Sequence, residues 1–225
     1  AEGSNFSLRQ APPVFGLGLL EAIPEGTLLS ASDPNDIDGD GVSGRANMID
    51  GKVGRFGWKA QSSSLKDQTS KAFQLDLGIS TSAFPHHFGD CTPAQSNCLT
   101  QLHGGDDQFN TNEVSDEMVG LITQYLSSLA VPARRISAEP IDRLGEQLFS
   151  IVGCASCHTP KQHTGSSYNP ANSDQTIWPY SDLLLHDMGE ELADLVSEGG
   201  ASGREWRTSP LWGIGLTKVV NPKAT

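Results

Sequence analysis

The chain has 225 residues, 36% of them hydrophobic, with 24 Gly, 13 Pro and a formal net charge of −12. That length suits one domain or two small ones with a real core, and the Gly and Pro content predicts many turns and long irregular segments. The acidic balance repels a phosphate backbone and argues against nucleic acid as a partner, and there is no run of about 18 apolar residues to span a membrane. Such a surface suits a basic protein partner, or simply solubility. Residues 1–10 lack the basic start and apolar block of a secretory leader, so the chain reads as a processed product or a fragment. No internal repeat or low-complexity tract stands out.

The first 60 residues read mostly as loop, with one apolar stretch, PPVFGLGLLEAIP, where Pro13 suits the start of a short helix. The acidic, Gly-rich DPNDIDGDGVSGRAN follows. Its Asp36, Asp38 and Asp40 alternate and Gly41 comes next, which copies the opening of a calcium loop. Three carboxylates on one tight turn converge on a hard cation, and the Val42 carbonyl offers a fourth oxygen. The twelfth position is Asn47 rather than a bidentate Glu, so calcium binding would be weak; the competing reading is a solvated acidic turn. Neither GVSGRAN nor GRFG follows a strand with phosphate-loop spacing.

Ser62–Leu75 is predicted helical, with Leu65, Thr69, Ala72 and Phe73 on one face and Gly78 beyond its end. Residues 79–112 form a long excursion. Cys91 and Cys98, in CTPAQSNC, read as a disulfide closing a short loop, which belongs to an oxidising compartment; two free thiols are the alternative. Asn112–Ala130 is the strongest helix, with Val114, Met118, Leu121, Ile122, Tyr125, Leu126 and Leu129 at three- and four-residue steps and Pro132 as its stop. A further helix covers Ile141–Val152 and runs directly into CASCH. Residues 159–180 look irregular, Asp182–Val196 reads as helical, and β content should be small.

Cys154-Ala155-Ser156-Cys157-His158 fits C-x-x-C-H. Two thiols three residues apart reach the two vinyl groups of one haem, and the adjacent imidazole then takes the iron. A thioredoxin-like dithiol would need a βαβ setting, which is missing, and a zinc site would need a second C-x-x-C pair. For the other axial position Met188 is the first candidate, since a thioether suits electron transfer, and His186 is its rival; the ligand is otherwise absent or lies elsewhere. Met118 reads as core and Met48 has no argument. His86, His87, His103 and His163 read as solvated loop residues.

RQAPPVFGLGLLEAIP, DIDGDGVSGRAN, GRFGWKA, the CASCH site, PYSDLLLHDMG and EWRTSPLWGIG occur in that order. Together they resemble the bacterial di-haem oxidoreductases once labelled thiol oxidoreductase-like. Those are distant relatives of the di-haem cytochrome c peroxidases and of the di-haem enzymes of methylamine utilisation. The resemblance implies an α-helical, periplasmic protein with two cytochrome c-like domains, one haem relaying electrons and the other meeting peroxide or another oxidant. Relatives carry an earlier haem motif and continue past NPKAT, so this chain resembles the second-haem portion of a longer protein. Cys154, Cys157 and His158 match that second site. Arg204 and Arg207 fall where relatives have an arginine near haem carboxylates, which a guanidinium fork can hold; solvated surface arginines are the alternative. Trp206 and Trp212 stand between redox centres or in the core. Asp187 and Glu205 are acid–base candidates for peroxide chemistry, or members of surface ion pairs. Relatives also hold calcium between their haem domains.

The expectation is therefore a mainly α, cytochrome c-like fold with long loops. Residues 1–112 would be a loop-rich bridging region with the possible calcium loop, and residues 113–225 the haem domain. The expected function is electron transfer in a periplasmic di-haem oxidoreductase or peroxidase, with one haem c per chain and a small cytochrome or copper protein as redox partner. The alternative is a mono-haem relay with no catalysis. A haem-bonded C-x-x-C cannot also cycle as a dithiol.

Overall fold

In the computed structural model, which describes residues 7–89, 91–134 and 139–220, 34% of the described residues are in α-helices or 3-10 turns and 10% in strands or isolated bridges. The helices are α1 Leu17–Glu21, α2 Glu25–Ser30, α3 Leu65–Leu77, α4 Ser96–Leu99, α5 Asp116–Ser128, α6 Pro140–Ile151 and α7 Thr217–Val220. Three two-stranded antiparallel sheets join β1 Met48–Ile49 to β2 Lys52–Val53, β3 Gln162–His163 to β4 Thr176–Ile177, and β5 Leu185–Asp187 to β6 Glu205–Arg207. This overturns the expected mainly α, cytochrome c-like fold: most of the chain is loop, and four of the seven helices have six residues or fewer.

The long helices follow local signals. The Ser64 hydroxyl accepts the Asp67 amide at 3.1 Å and opens α3, which ends at Gly78. The Ser115 hydroxyl accepts the Met118 amide at 3.2 Å and opens α5, while Pro140 occupies the first turn of α6. The expected core face of α5 is only partly inside. Val119 and Ser127 are buried, whereas Met118, Leu121 and Tyr125 face outward. The helix expected over Asp182–Val196 is instead β5 followed by a single 3-10 turn at Glu190–Leu192. Leu183, Leu184 and Leu185 are consecutive and all buried. A surface helix cannot bury three successive side chains, but a tight turn entering a strand flanked on both sides can. Leu185 exchanges backbone hydrogen bonds with Arg45 on one side while β6 pairs on the other.

The main core comprises Leu20, Ile23, Leu28, Val53, Phe56, Leu65, Ile177 and Leu183. Around it, buried cations satisfy loop carbonyls. Arg55 donates Nη1 to the carbonyls of Leu20 and Ile23 at the end of α1. Lys59, completely buried, donates Nζ to the carbonyls of Ser202, Gly203 and Glu205 at 3.1, 3.1 and 2.7 Å. The same ammonium lies 3.3 Å from Asp194 and 3.7 Å from the Trp206 ring centroid. Arg9 grips Asp194 and Glu198, and Arg45 grips Glu205. Burial alone would raise both Asp194 and Glu205. Around Asp194 the Ser7 hydroxyl, Arg9 and Lys59 outweigh burial and hold the carboxyl well below its usual range. Arg45 and the Ser202 amide pull Glu205 down to about 2.

Folding also brings together a repeat that is hard to see in the sequence: Pro13-Val-Phe-Gly-Leu-Gly-Leu19 and Pro210-Leu-Trp-Gly-Ile-Gly-Leu216. Gly16 (φ 73°, ψ 5°) and Gly213 (φ 75°, ψ −2°) adopt the same left-handed conformation, each opening a helical turn. A Cβ on Gly16 would meet Trp212 Cζ2 at 2.5 Å, and one on Gly213 would meet Phe15 Cζ at 3.0 Å. Phe15 and Trp212 hold equivalent places in the two copies. Each aromatic therefore lies against the other copy's glycine, with Val131 and Pro132 beside the contact. The result is a local pseudo-two-fold clasp between the chain's two ends.

Gly16→Ala should cost about 3 kcal/mol, from the left-handed backbone plus the clash. In a Trp212→Ala background the same change should cost less, a coupling that urea unfolding of the double-mutant cycle reads. For acid, depressed carboxyls contribute stability above their ordinary pKa and lose it as pH falls through the folded value. Unfolding midpoints should therefore drop between about pH 4.5 and about pH 2. Glu205→Gln should flatten that limb in a pH-resolved thermal melt.

Candidate haem-attachment site

The end of α6 delivers the C-x-x-C-H segment. Gly153 turns left-handed (φ 84°), Cys154–Ser156 form one 3-10 turn, and the His158 amide donates to the Cys154 carbonyl at 2.9 Å. This puts both sulfurs and the imidazole on one compact corner. Cys154 is exposed and Cys157 half-buried, and both are free thiols. Cys91 and Cys98, by contrast, are joined in the expected disulfide.

His158 is aimed by its neighbours. Its Nδ1 lies 2.8 Å from the Tyr180 carbonyl oxygen, so Nδ1 carries the proton and donates, leaving Nε2 with a free lone pair. The Phe149 ring on α6 meets His158 edge-on at 6.4 Å and Tyr180 at 5.4 Å. The Tyr180–Leu183 segment that presents this carbonyl has two non-glycine residues in left-handed backbone, Tyr180 (φ 53°) and Leu183 (φ 59°). It is pinned by Ser181 N to Thr159 O at 2.9 Å, Asp182 N to Cys157 O at 3.1 Å, and Ser181 Oγ to Thr208 O at 2.7 Å. Beside Tyr180 a cleft of about 980 Å³ opens between Trp178 and Trp212, with Arg143 of α6 on its wall.

On the far side of Cys157 stands a buried pair. His186 Nε2 lies 2.9 Å from Asp182 Oδ2, and its Nδ1 lies 2.9 Å from the Ser43 carbonyl and 3.5 Å from Cys157 Sγ. Burial would lower the imidazole pKa, but the Asp182 carboxylate and the Cys157 contact dominate and raise it to about 10. The Asp182 carboxylate and the Ser43 carbonyl are both acceptors, so the geometry offers each ring nitrogen a place to donate. Asp182 and His186 are four residues apart, a spacing that a helix would also bring together, although here a tight turn and β5 do so.

The other candidates disperse. Met188 follows β5, is 48% exposed, and uses its amide on the Arg204 carbonyl. Arg204 lies on the surface in ion pairs with Asp187 (3.1 Å) and Glu190 (2.9 Å). Arg207 is buried, donating to the carbonyls of Gly57 (2.8 Å) and Thr208 (3.1 Å); desolvation pushes it down to about 10 against the pull of Asp182. Trp206 has Lys59 over its ring and Arg9 5.2 Å from its centroid, while Trp212 lines the cleft. Among the described residues Asp36, Asp38 and Asp40 do converge, with ligand oxygens within 4.8 Å of one another. The loop is closed by an Asp33–Gly44 bridge. Asn47 lies apart from this duty, buried with its amide on the Lys59 and Ala60 carbonyls. The Tyr180 carbonyl, Asp182 and Ser43 carry no sequence signal for this site, because a backbone carbonyl has no signature and the pattern around Asp182 suggests a helix.

No described helix is long and apolar enough to cross a membrane. Neither a curated protein nor a solved structure matches the chain significantly. A family model described as "Di-haem oxidoreductase, putative peroxidase" matches residues 2–225, nearly the whole chain. The chain belongs to the di-haem oxidoreductase family, whose cofactor is haem.

Proposed function

We propose that this chain carries one c-type haem, linked through Cys154 and Cys157 with His158 as the proximal iron ligand, and transfers electrons within an exported di-haem oxidoreductase. The observation that carries this reading is the orientation of His158 on the same corner as two unbonded thiols: Nδ1 is held by the Tyr180 carbonyl and Nε2 is left for iron. Such a hydrogen bond fixes the ligand's tautomer and ring orientation and raises its basicity. A covalently held haem supplies a one-electron couple at its iron.

The protein's own residues do the rest. Phe149 and Tyr180 restrict the imidazole's rotation. Of the two distal candidates, only Met188 keeps an uncommitted donor atom, because both nitrogens of His186 are engaged. The Cys91–Cys98 disulfide supports a periplasmic or otherwise exported setting. The net charge of −12 favours a basic-faced redox partner, such as a small cytochrome or copper protein. The Asp36, Asp38, Asp40 loop supports a weak calcium site that ties down the segment ending at Ser43.

Made in a haem-maturing host, the chain should gain the mass of one haem that survives denaturation, and Cys154→Ala/Cys157→Ala should abolish it. No covalent haem on the wild type would sink the proposal. A sulfur-to-iron charge-transfer band that disappears in Met188→Ala would assign the distal ligand; an unchanged spectrum removes Met188 from that role. Calcium at about ten times its Kd should stabilise the chain by about 1.4 kcal/mol in thermal melts, and Asp38→Asn/Asp40→Asn should erase the effect.

A further inference from the structure

The structure assigns the chain an electron-donating tryptophan, Trp212, and a pair of cations, Lys59 and Arg9, that keeps Trp206 from taking that part. The assignment goes beyond the haem-attachment reading and stands without it. Trp58, Trp178, Trp206 and Trp212 are all half-buried, so solvent reach does not sort them. They differ in what lies over each ring and in what faces each indole N–H.

An indole is oxidised in one-electron steps. The oxidant, a small inorganic radical or an oxidised metal centre, takes one electron and is reduced. The radical cation left behind then sheds its Nε1 proton to a base or to water and becomes a neutral indolyl radical. Two local features oppose that sequence. A cation over the ring is attracted to the intact π face, and it repels the positive charge that the lost electron leaves. An N–H committed to a peptide carbonyl faces no base for its proton, because an amide oxygen is protonated only by strong acid.

Trp206 carries both features. Lys59 Nζ lies 3.7 Å from its ring centroid and Arg9 Cζ lies 5.2 Å away. Lys59 is fully buried, and its three carbonyl acceptors and Asp194 keep it an ammonium. Asp194 and Glu198 balance part of the charge, but the ring meets the ammonium directly, away from bulk water, where its field is little screened. The Trp206 N–H donates to the Leu192 carbonyl at 2.9 Å. Trp58, edge-on to Trp206 at 6.2 Å, donates to the Gln10 carbonyl at 2.7 Å, and Trp178 has Arg134 4.9 Å from its centroid. Trp212 has neither feature: among the described residues no cation lies over its ring and no carbonyl accepts its N–H. It lines the open cleft beside Trp178 and Tyr180, where water can take the proton. Peroxide chemistry, which the family description includes, leaves strong one-electron oxidants behind when reductant runs short. The guard at Trp206 keeps such oxidising equivalents off the loop that Lys59 holds and sends them to the cleft wall, where a reductant can reach the ring.

The test is site-resolved. The full chain, made in the haem-maturing host, is exposed to a low dose of azide radical, a one-electron oxidant, and in parallel to hydroxyl radical, which adds to any accessible ring. Oxidised tryptophan is measured at each position by peptide mass spectrometry, and the azide yield divided by the hydroxyl yield removes the effect of exposure. That ratio should be about tenfold lower at Trp206 than at Trp212. Lys59→Met, which keeps the apolar stem and removes the charge, should raise the Trp206 ratio about fivefold and leave Trp212 unchanged. If Lys59→Met does not fold, Arg9→Gln, which removes the more distant cation, should raise the Trp206 ratio about twofold. Equal ratios at Trp206 and Trp212 in the wild type, or a Trp206 ratio that the folded variant does not move, overturns the assignment and leaves Lys59 and Arg9 as structural cations alone.

Discussion

A chain with this much loop must find partners for backbone carbonyls that neither helix nor sheet satisfies, and buried cations meet that demand here. Arg55, Lys59 and Arg207 are nearly or fully inaccessible, and each points its donors at main-chain carbonyls. Burying a charge is tolerable only when its hydrogen bonds are made. Lys59 makes three to the 202–205 loop and a fourth contact to Asp194. That loop turns the chain into β6, and β6 pairs with β5, which carries His186. The position of the C-x-x-C-H corner therefore depends on a lysine about a hundred residues away in sequence.

The clasp between Pro13–Leu19 and Pro210–Leu216 does for the chain's ends what the cations do for its loops. Its second copy walls the cleft beside Tyr180, and its first copy sits under the end of α5, where Gly18 allows the close approach of the Ser127 carbonyl. Two like segments packed reciprocally bury an aromatic against a glycine twice over. This contact ties residues at opposite ends of the chain into one unit.

At the site itself the protein has arranged rigidity around a small number of atoms. Left-handed backbone at Tyr180 and Leu183 is unfavourable in isolation and persists because Ser181, Asp182 and the neighbouring carbonyls pin the turn. The strain lies where one carbonyl must face His158 and one amide must face Cys157. The Ser43 contact of His186 adds a direct link from this corner to the segment that follows the acidic loop.

The linear sequence was enough for the features whose cause is local. C-x-x-C-H is chemistry set by spacing, the capping serines and Pro140 mark helix starts, and Cys91 with Cys98 closes a short loop. The alternation of Asp36, Asp38 and Asp40 likewise survives as a real convergence. Tertiary structure decided whatever depended on non-local partners. It made Leu183–Leu185 a buried turn leading into β5 rather than part of a helix, since Arg45 and β6 flank Leu185. It drew Arg207 into the core while leaving Arg204 on the surface, and it showed the divided repeat as a clasp. It also set His186 between Asp182, Ser43 and Cys157. Periodicity reports which faces of an element are apolar, but the choice of partner, and the upward pull on a buried imidazole's pKa, depends on groups brought close only by the folded chain.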